Sequence, residues 1–593
     1  MFFDCESSEW FLNFKYFITE KFFHLPSISE PDNGITLCGN HVSQNYLKDV
    51  STKPELTFIS LKMGKLSMST DTPKENHYWS IYLVVFILLS TMAVLRYYSL
   101  HSTVYDMGLY LNNFYMISEG YWERLFLSHI QPLGFFWSLL YEILPTYLVP
   151  IFILLGQALL LTLPVIGLYR FYGLLPAFAF LLYFPLWYNA LFDFHIDHLA
   201  VPLLFGFFLM EKKGKIGFAV VCGILLALVK EIFAIQAIFC GIYLFLIRKH
   251  RIGGSILILI SSAYFFISLV YLKVYFNPSI DGVSNNLIDM HAVYSWLGSD
   301  FTQIALTLLT QPHWVAEKVF TDPERLKYLI YLFGALGFIP LLRPGILWIT
   351  IPILAHSLLS SQPLHYGFTY HYTAGLIIPN IIAFSEGLPK AKKIWERVRL
   401  KKGWFDPILC SGLLICHILL SPSPIGRKFY SPNSWNYHYS TYLPSDRDRL
   451  IKAALKTHIS SDPNKIVSVQ NSLNFHYLME RKVFRIFPDG AADKSKYYTQ
   501  RLTFRQLIEF MRTGKTHRVH IENKFADYVV LDLKRPWFNG VQACEWVSGK
   551  CKGGTGFENS FMELIEKTKK NFGVIFKQDE FIILQRLNNK FYP

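Results

Sequence analysis

Long apolar runs constrain the fold of this chain more than any other feature. Each approaches the roughly 20 residues that an α-helix needs to cross the hydrocarbon core of a bilayer. The 593 residues are 52% hydrophobic with a mean hydropathy of +0.27, which is too apolar for an ordinary soluble protein of this size. We therefore predict a mainly α, polytopic helical membrane protein with about 11 spans. The predicted spans are 79–97, 147–169, 174–191, 198–211, 216–230, 231–247, 253–275, 326–342, 345–360, 372–388 and 405–421.

Clusters of basic residues between these runs predict the sidedness of the protein. The clusters are "EKKGK" (211–215), "RKHR" (248–251) and "KAKKIWERVRLKKG" (390–403). Because cytoplasmic loops carry an excess of Lys and Arg, all three should face the cytoplasm. The N-terminus is then cytoplasmic and the region after 421 extracytoplasmic, by default outside a bacterial inner membrane. The net charge of +14 is placed largely in these loops, so it gives no support for nucleic-acid binding.

The chain divides into three predicted parts. Residues 1–78 form an N-terminal cytoplasmic segment, 79–421 the polytopic transmembrane domain, and 422–593 an extracytoplasmic α/β domain. The sequence "MSTDTPKENHYW", from Met68, reads like a natural beginning. Residues 1–67 are therefore either a mis-called start or a short cytoplasmic extension.

The C-terminal region has the alternating pattern of a small α/β domain. "KIVSVQNSLNFHYLMERKVFRIF" (465–487) predicts a strand, a helix and a strand, and "ADYVVLDLKRPW" (526–537) predicts another buried strand. "FGVIFKQDEFIILQRL" (572–587) predicts a closing hairpin. Cys544 and Cys551 could form a short-loop disulfide in an oxidising compartment, or remain thiols.

Polar residues gather on the predicted outer side of the membrane, in five separate loops. They are Asp106, Asn112 and Asn113; His129 and Gln131; Asp193, His195, Asp197 and His198; Lys230 and Glu231; and His365 and His371. Ionisable groups at membrane depth are costly and usually mark a function or an internal pairing. Their convergence predicts one shared polar pocket at the outer interface.

Several of these residues also have simpler explanations. Lys230 and Glu231 could neutralise one another at a helix turn, and Asp193 or Asp197 could cap the helix that follows. A single loop histidine is more often a hydrogen-bonding residue than a ligand. The histidines and aspartates could bind a divalent cation, although no strict spacing such as HExxH is present. The sequence also has no Gly-rich phosphate loop and no G-x-S-x-G motif.

Six stretches carry a resemblance to a known family. They are "YDMGLYLNNF", "FDFHIDHLAVPLLF", "LLALVKEIFAI", "LLRPGILWITIPILAHSLLSS", "HYTAGLIIPNII" and "ADYVVLDLKRP". Their order and spacing resemble the DUF2079 family of bacterial and archaeal predicted membrane proteins, over roughly residues 80 to 540. The aspartate in the first outer loop, the odd number of spans and the outer domain also resemble the GT-C membrane glycosyltransferase superfamily. The family usually has proline and glutamate after the phenylalanine–histidine pair, where this chain has Ile196 and Asp197.

The resemblance implies transfer of a sugar from a polyprenyl-phosphate donor to an acceptor at the outer membrane face. A carboxylate at the water boundary can take the proton of the acceptor hydroxyl, and Asp106 is the candidate. Its rivals are Asp193, Asp197 and Glu231. Cationic or hydrogen-bonding groups would stabilise the leaving phosphate. The expected substrate-binding residues are Tyr105, Asn113, His129, Asp193, His195, Asp197, His198, Lys230, Glu231, His365, Tyr370 and His371.

Two other classes of function remain open. A transporter of a polar or lipid-linked substrate would also collect ionisable groups between spans, but broken helices and an internal repeat would be expected. In a non-catalytic membrane scaffold or receptor, the outer domain would carry the function. In the glycosyltransferase interpretation, the outer domain helps to bind the acceptor or covers the site.

Overall fold

The computed structural model describes residues 76–126, 129–269, 293–398, 402–432, 434, 436–498, 521–535, 546–547, 550–551 and 555–587. Residues Thr72–Pro593 form one compact unit. The predicted start at Met68 and nearly all of the predicted segment 1–78 lie outside the described residues. Cys544 lies outside them as well, so its pairing with Cys551 stays a prediction.

Helices make up most of the described chain as far as residue 430. The first eleven are α1 (Asn76–Tyr98), α2 (Leu109–Ser118), α3 (Gly134–Ile143), α4 (Val149–Thr162), α5 (Pro164–Tyr172), α6 (Leu174–Leu182), α7 (Phe184–Leu191), α8 (Ala200–Lys212), α9 (Ile216–Ala227), α10 (Glu231–Ile242) and α11 (Arg251–Ile267). They are followed by α12 (Phe301–Thr310), α13 (Pro312–Thr321), α14 (Pro323–Gly334), α15 (Pro344–Leu347), α16 (Ile351–Leu359), α17 (Ala374–Arg397), α18 (Phe405–Leu420) and α19 (Arg427–Tyr430). Every predicted span therefore contains helix. Helices α2, α3, α12, α13 and α19 were not predicted.

Length and composition identify fewer membrane spans than the sequence suggested. In the described residues, Trp79–Tyr98 and Thr146–Tyr172 are long and apolar enough to cross a membrane. Helices α6 and α7 make a third span if they count as one, although they meet at a bend of 51°. The shorter apolar helices are Ile216–Ala227, Glu231–Ile247, Arg251–Ile267, Pro344–Leu359 and Phe405–Leu420, of 10 to 17 residues each. The number of 11 crossings therefore stays a prediction.

Apolar side chains are exposed on the outer surface of the helical part. Helix α1 buries Leu89 and Met92 but exposes Leu83, Val84 and Ile87. Val84 is 65% exposed. Exposed apolar surface of this kind marks contact with lipid or a partner. The inner faces of the helices pack around buried aromatic rings, including that of Phe384.

The C-terminal region is the small α/β fold that the sequence predicts. Its elements are α20 (Asp446–His458), β1 (Val467–Val469), α21 (His476–Met479), β2 (Phe484–Ile486), β3 (Ser495–Tyr498), β4 (Ile521–Lys524), β5 (Tyr528–Asp532), β6 (Trp546–Val547), β7 (Lys550–Cys551), α22 (Thr555–Lys569), β8 (Phe572–Gln578) and β9 (Phe581–Arg586). The main sheet has the order β2-β1-β5-β9-β8, in which β1 pairs with β2 and β5 in parallel. The predicted strand–helix–strand, the buried strand β5 and the closing β8–β9 hairpin are confirmed.

This sheet packs directly on the start of the helical part. One continuous apolar core contains Met107, from the turn after α1, and Leu111, from α2, together with Val469 and Met479 from the α/β region. The carboxyl ends of β1 and β5 therefore lie against the chain segment that follows α1, which carries Asp106.

Candidate active site

A capped turn positions Asp106 just beyond the end of α1. The turn is a single π-helical turn, Val104–Gly108, and Thr103 caps it by accepting a hydrogen bond from the backbone N–H of Asp106 (3.3 Å). The side chain of Asp106 is 23% exposed. The carboxylate of Asp106 is therefore mostly enclosed but remains partly accessible from outside.

A buried ion pair lies next to this turn and supports it. Arg96, on the last turn of α1, donates from Nη1 to Asp193 Oδ1 at 2.7 Å, and the two side chains are 1% and 0% exposed. Arg96 also donates to the backbone oxygen of Leu191 (3.2 Å) and to Asn436 Oδ1 (3.3 Å). Since Asp193 is fully enclosed by these contacts, its role is to hold the site together, and it is a poor candidate for the base.

Thr103 joins the buried ion pair to Asp106. Its hydroxyl lies 2.7 Å from Asp193 Oδ2 and 2.8 Å from Asp106 Oδ2, and its backbone N–H donates to the same oxygen of Asp193 at 2.7 Å. One hydroxyl thus connects two carboxylates. The position of Asp106 depends on the ion pair behind it.

His195 holds the other oxygen of Asp106. Its Nε2 lies 3.1 Å from Asp106 Oδ1, while its Nδ1 lies 3.3 Å from the backbone oxygen of Asp193. Gln157 of α4 fixes this residue further by accepting its backbone N–H at 3.1 Å. The imidazole is thereby directed at the carboxylate.

A second acid and a lysine lie behind a stacked pair of histidine rings. The rings of His195 and His371 are parallel within 18°, with centroids 3.5 Å apart. On the far side, Asp197 Oδ1 lies 4.0 Å from His371 Nε2 and 3.7 Å from Lys230 Nζ. The buried atoms Asp197 Oδ2 and His371 Nδ1 have no hydrogen-bond partner in the described part of the chain. These atoms can accept or donate to a ligand.

Lys230 and Glu231 do not neutralise one another. Lys230 faces Asp197, whereas Glu231 accepts from His129 Nδ1 at 2.8 Å and from the backbone N–H of Ile130 at 3.2 Å. The interpretation of Asp193 or Asp197 as a helix cap is also wrong. His195 is the N-cap of the 3-10 turn Ile196–Leu199, and Leu199 is the N-cap of α8.

The remaining predicted residues lie around this cluster at different depths. His365 is buried and hydrogen-bonds Ser360 through Nδ1 (2.7 Å), and the ring of Tyr370 packs edge-on against Phe192. His198 contacts the backbone oxygen of His195 through Nδ1 at 2.5 Å. Tyr105 is exposed. Asn113 is half-buried on α2, and no hydrogen bond in the described residues joins it to the cluster.

The charge environment keeps Asp106 ionised. Burial would raise the pKa of this carboxyl, but the hydrogen bonds and charges of His195, Thr103 and Arg96 outweigh burial, and the pKa lies below its usual value. Burial, followed by the charge of Lys230, lowers the pKa of His365 to about 4. At neutral pH the site thus combines an ionised acid with a neutral histidine.

Three residues that support the site were not predicted: Arg96, Thr103 and Gln157. Arg96 gave a usable signal, because it is a lone charge in the apolar run of α1 and such a charge requires a partner. Thr103 and Gln157 gave none, since a threonine before a turn and a glutamine in an apolar helix fit many environments.

The sequence left a divalent-cation site open as one possibility for these residues. The described part of the chain contains no group of three or more His, Cys, Asp or Glu side chains that could hold a metal ion. Asp106 and His195 are instead bonded to one another, and Asp197 faces Lys230. We therefore derive no step through a metal.

The mainly helical fold and the polar cluster beside exposed apolar helices define a membrane protein of the kind that the sequence predicts. The chain belongs to the DUF2079 family of predicted membrane proteins, whose model matches residues 96–477. The match begins at Arg96 and includes every predicted site residue. No curated protein matches the chain.

Two solved structures of ArnT from Cupriavidus metallidurans align with most of the chain. The structure bound to undecaprenyl phosphate is 13% identical, has a TM-score of 0.40, and covers 87% of this chain and 98% of its own. The apo structure is 12% identical, has a TM-score of 0.39, and covers 86% of this chain and 97% of its own. TM-scores of this size do not establish a shared fold, so the role of the site rests on the side chains of this chain.

Proposed function

We propose that this protein is a membrane glycosyltransferase that moves a sugar from a polyprenyl-phosphate donor to an acceptor at the outer face of the membrane. The observation that carries the proposal is the placement of Asp106. It is an ionised, partly exposed carboxylate, held through one oxygen by Thr103 and through the other by His195. Such an acid suits proton removal from an acceptor hydroxyl at the water boundary.

The roles of the surrounding groups follow from their charge. Asp106 takes the hydroxyl proton as the acceptor oxygen bonds to the anomeric carbon, and the bond from that carbon to the donor phosphate oxygen breaks. Negative charge then grows on the departing lipid phosphate, where a fixed cation lowers the barrier. Lys230 is the cation of the cluster best suited to this position, because its nearest acid, Asp197, lies at 3.7 Å without a close hydrogen bond.

The proposed arrangement in the membrane extends the sequence prediction. The helical part, 79–421, crosses an inner membrane 11 times, with broken and tilted helices making up several crossings. The N-terminus is cytoplasmic and the α/β region, 422–593, extracytoplasmic. The exposed apolar faces support membrane insertion, and the gathering of the polar loops on one side supports this sidedness.

Sugar discharge without an ion gradient distinguishes the enzyme from a transporter. Purified protein in lipid nanodiscs, which cannot hold a gradient, should slowly release polyprenyl phosphate from a polyprenyl-phosphate sugar, with water taking the sugar in place of the natural acceptor. Because the pKa of Asp106 lies below its usual value of 3.8, the base loses its proton at low pH and stays ionised above it. We therefore expect a flat rate from about pH 5 upward, falling only toward lower pH.

The pH profile also tests the identity of the base. A base that titrates near neutrality would instead make the rate fall inside the pH range where Asp106 predicts a flat profile. Absence of discharge in nanodiscs, together with substrate movement in sealed vesicles that depends on an ion gradient, would favour the transporter.

A further inference from the structure

The ligand-binding edge of the α/β region is occupied by the protein's own chain. In open sheets with parallel strands, ligands bind in the crevice beyond the carboxyl ends of the strands. Here the residues after β1 and β5 contact residues 99–112, which we call the Asp106 segment. This segment fills the position that a substrate would otherwise take.

Asn471, just after β1, makes the contact nearest to Asp106. Its backbone oxygen accepts the N–H of Val104 at 2.8 Å, and its side-chain Oδ1 accepts the N–H of Tyr105 at 2.7 Å. Asn471 is 4% exposed. The two backbone N–H groups immediately before Asp106 are thus held by one residue that is distant in sequence.

Further contacts hold the two ends of the same segment. Arg535, after β5, donates from Nη1 to the backbone oxygens of Ser99 (3.2 Å) and Leu100 (2.9 Å). At the other end, Asn112 donates to the backbone oxygens of Met479 (2.8 Å) and Arg481 (2.7 Å). Arg535 thus contacts the backbone of the segment, whereas the side chain of Asn112 ties the other end of the segment to the backbone of the α/β region.

Between these ends, the backbone approaches the α/β region closely. A Cβ atom added to Gly108 would lie 3.0 Å from Met479 Sδ and 3.3 Å from Asn474 Oδ1. Only a residue without a side chain fits there without displacing a neighbour. The segment and the α/β region are therefore complementary in shape as well as in hydrogen bonding.

We propose that the α/β region positions Asp106, and that Asn471 is the positioning residue through which it acts. The helical part holds the side chain of Asp106 through Thr103 and His195, while the α/β region holds the backbone of the two preceding residues, Val104 and Tyr105, through Asn471. This differs from the expectation that the region binds the acceptor or covers the site, because its crevice is already filled. Only the consequence for turnover rests on the proposed glycosyltransferase function.

Amide hydrogen exchange of the full-length protein in nanodiscs tests the contact without any activity. Asn471→Ala removes the acceptor for the Tyr105 N–H, and loss of one such hydrogen bond should make exchange in peptides covering residues 99–112 roughly three- to tenfold faster. Asn471→Asp keeps an acceptor oxygen at the same distance and should retain the protection. Asn471→Ser, whose hydroxyl is too short to reach this N–H, is the second variant should Asn471→Ala not fold.

Ser468→Ala is the matched control. Ser468 is fully buried in β1, the strand that precedes Asn471, and its side chain also makes one hydrogen bond to a backbone group, the oxygen of Asp489 at 2.8 Å, away from the Asp106 segment. The positioning role predicts that this variant leaves exchange in residues 99–112 unchanged. Unchanged exchange in Asn471→Ala, or an equal increase in Ser468→Ala, would overturn it.

Turnover separates this inference from the proposed function. If Asn471 positions Asp106, Asn471→Ala should lower kcat about tenfold with little change in KM, and Asn471→Asp should restore much of it. Faster exchange in a protein whose wild type discharges no sugar would leave the contact established and remove the glycosyltransferase. An unchanged kcat despite faster exchange would mean that Asn471 orders the segment without positioning Asp106.

Discussion

Replacing Asp106 with asparagine should lower sugar transfer by about 10²- to 10⁴-fold, the usual contribution of a general base. The amide keeps the shape of the carboxylate but cannot take a proton at neutral pH. Folding should survive, because Thr103 and His195 can still hydrogen-bond the amide, and the ion pair of Arg96 with Asp193 is untouched. The measurement is the rate of polyprenyl phosphate release under single-turnover conditions in nanodiscs.

Asp300→Asn is the matched control for this change. Asp300 is outside the cluster, where it caps α12 by accepting from the N–H of Gln303 at 2.8 Å, and asparagine caps helices equally well. Its rate should equal that of the wild type. An Asp106→Asn protein with a near-normal rate would instead favour Asp197 or Glu231, the remaining rival acids, as the base.

The largest effect on stability should come from Arg96. Asp193 is completely buried, so Arg96→Met leaves its negative charge uncompensated, which typically costs about 3–5 kcal/mol. Loss of this ion pair should also weaken the hydrogen bond of Thr103 to Asp193, and Asp106, which contacts the same hydroxyl, should then become less well ordered. We expect a clear fall in the unfolding temperature of the detergent-solubilised protein, followed by tryptophan fluorescence.

The double variant Arg96→Met with Asp193→Asn separates charge from packing. If the uncompensated carboxylate causes the loss, the neutral asparagine should restore most of the unfolding temperature while still accepting from the N–H of Thr103. A double variant as unstable as Arg96→Met alone would show that packing around the guanidinium, including its contact with Phe192, carries the effect.

The sequence predicts helices and the gathering of the polar loops well, for a physical reason. Apolar runs and basic clusters report on burial and sidedness along the chain, and sidedness alone places Asp106, His195, Lys230 and His371 on one face. The strands of the α/β region can be predicted from the sequence equally well, because β5 is a continuous buried run and β8–β9 is a hairpin.

The pairings within the site could not be predicted in the same way. Lys230 and Glu231 are adjacent in sequence but face Asp197 and His129, because the extended backbone of Lys230 (φ −170°, ψ 156°) directs consecutive side chains apart. The ion pair of Asp193 with Arg96 requires the end of α1 to meet the loop after α7, which is a contact between residues distant in sequence. No local pattern reports such a contact.

The number of 11 spans stays a prediction for a different reason. Helices such as α9, with 12 residues, reach about 18 Å, which is well short of a hydrocarbon core of about 30 Å. Apolar composition shows that a segment avoids water, but it does not show whether the segment crosses, tilts or turns back. The bend of 51° beside Pro185 divides the apolar run 174–191, which the sequence predicts as a single span.

Selective binding of the lipid phosphate tests the central claim most directly. Purified wild-type protein, delipidated and examined by native mass spectrometry, would be offered a polyprenyl phosphate, the prenol of the same length, and a polyprenyl-phosphate sugar. We predict one bound polyprenyl phosphate or phosphate sugar per protein, no retained prenol, and weaker retention of the phosphate in Lys230→Gln. Failure to retain either phosphate-bearing lipid, or equal retention of the prenol, would contradict the assignment of this cluster to a polyprenyl-phosphate sugar.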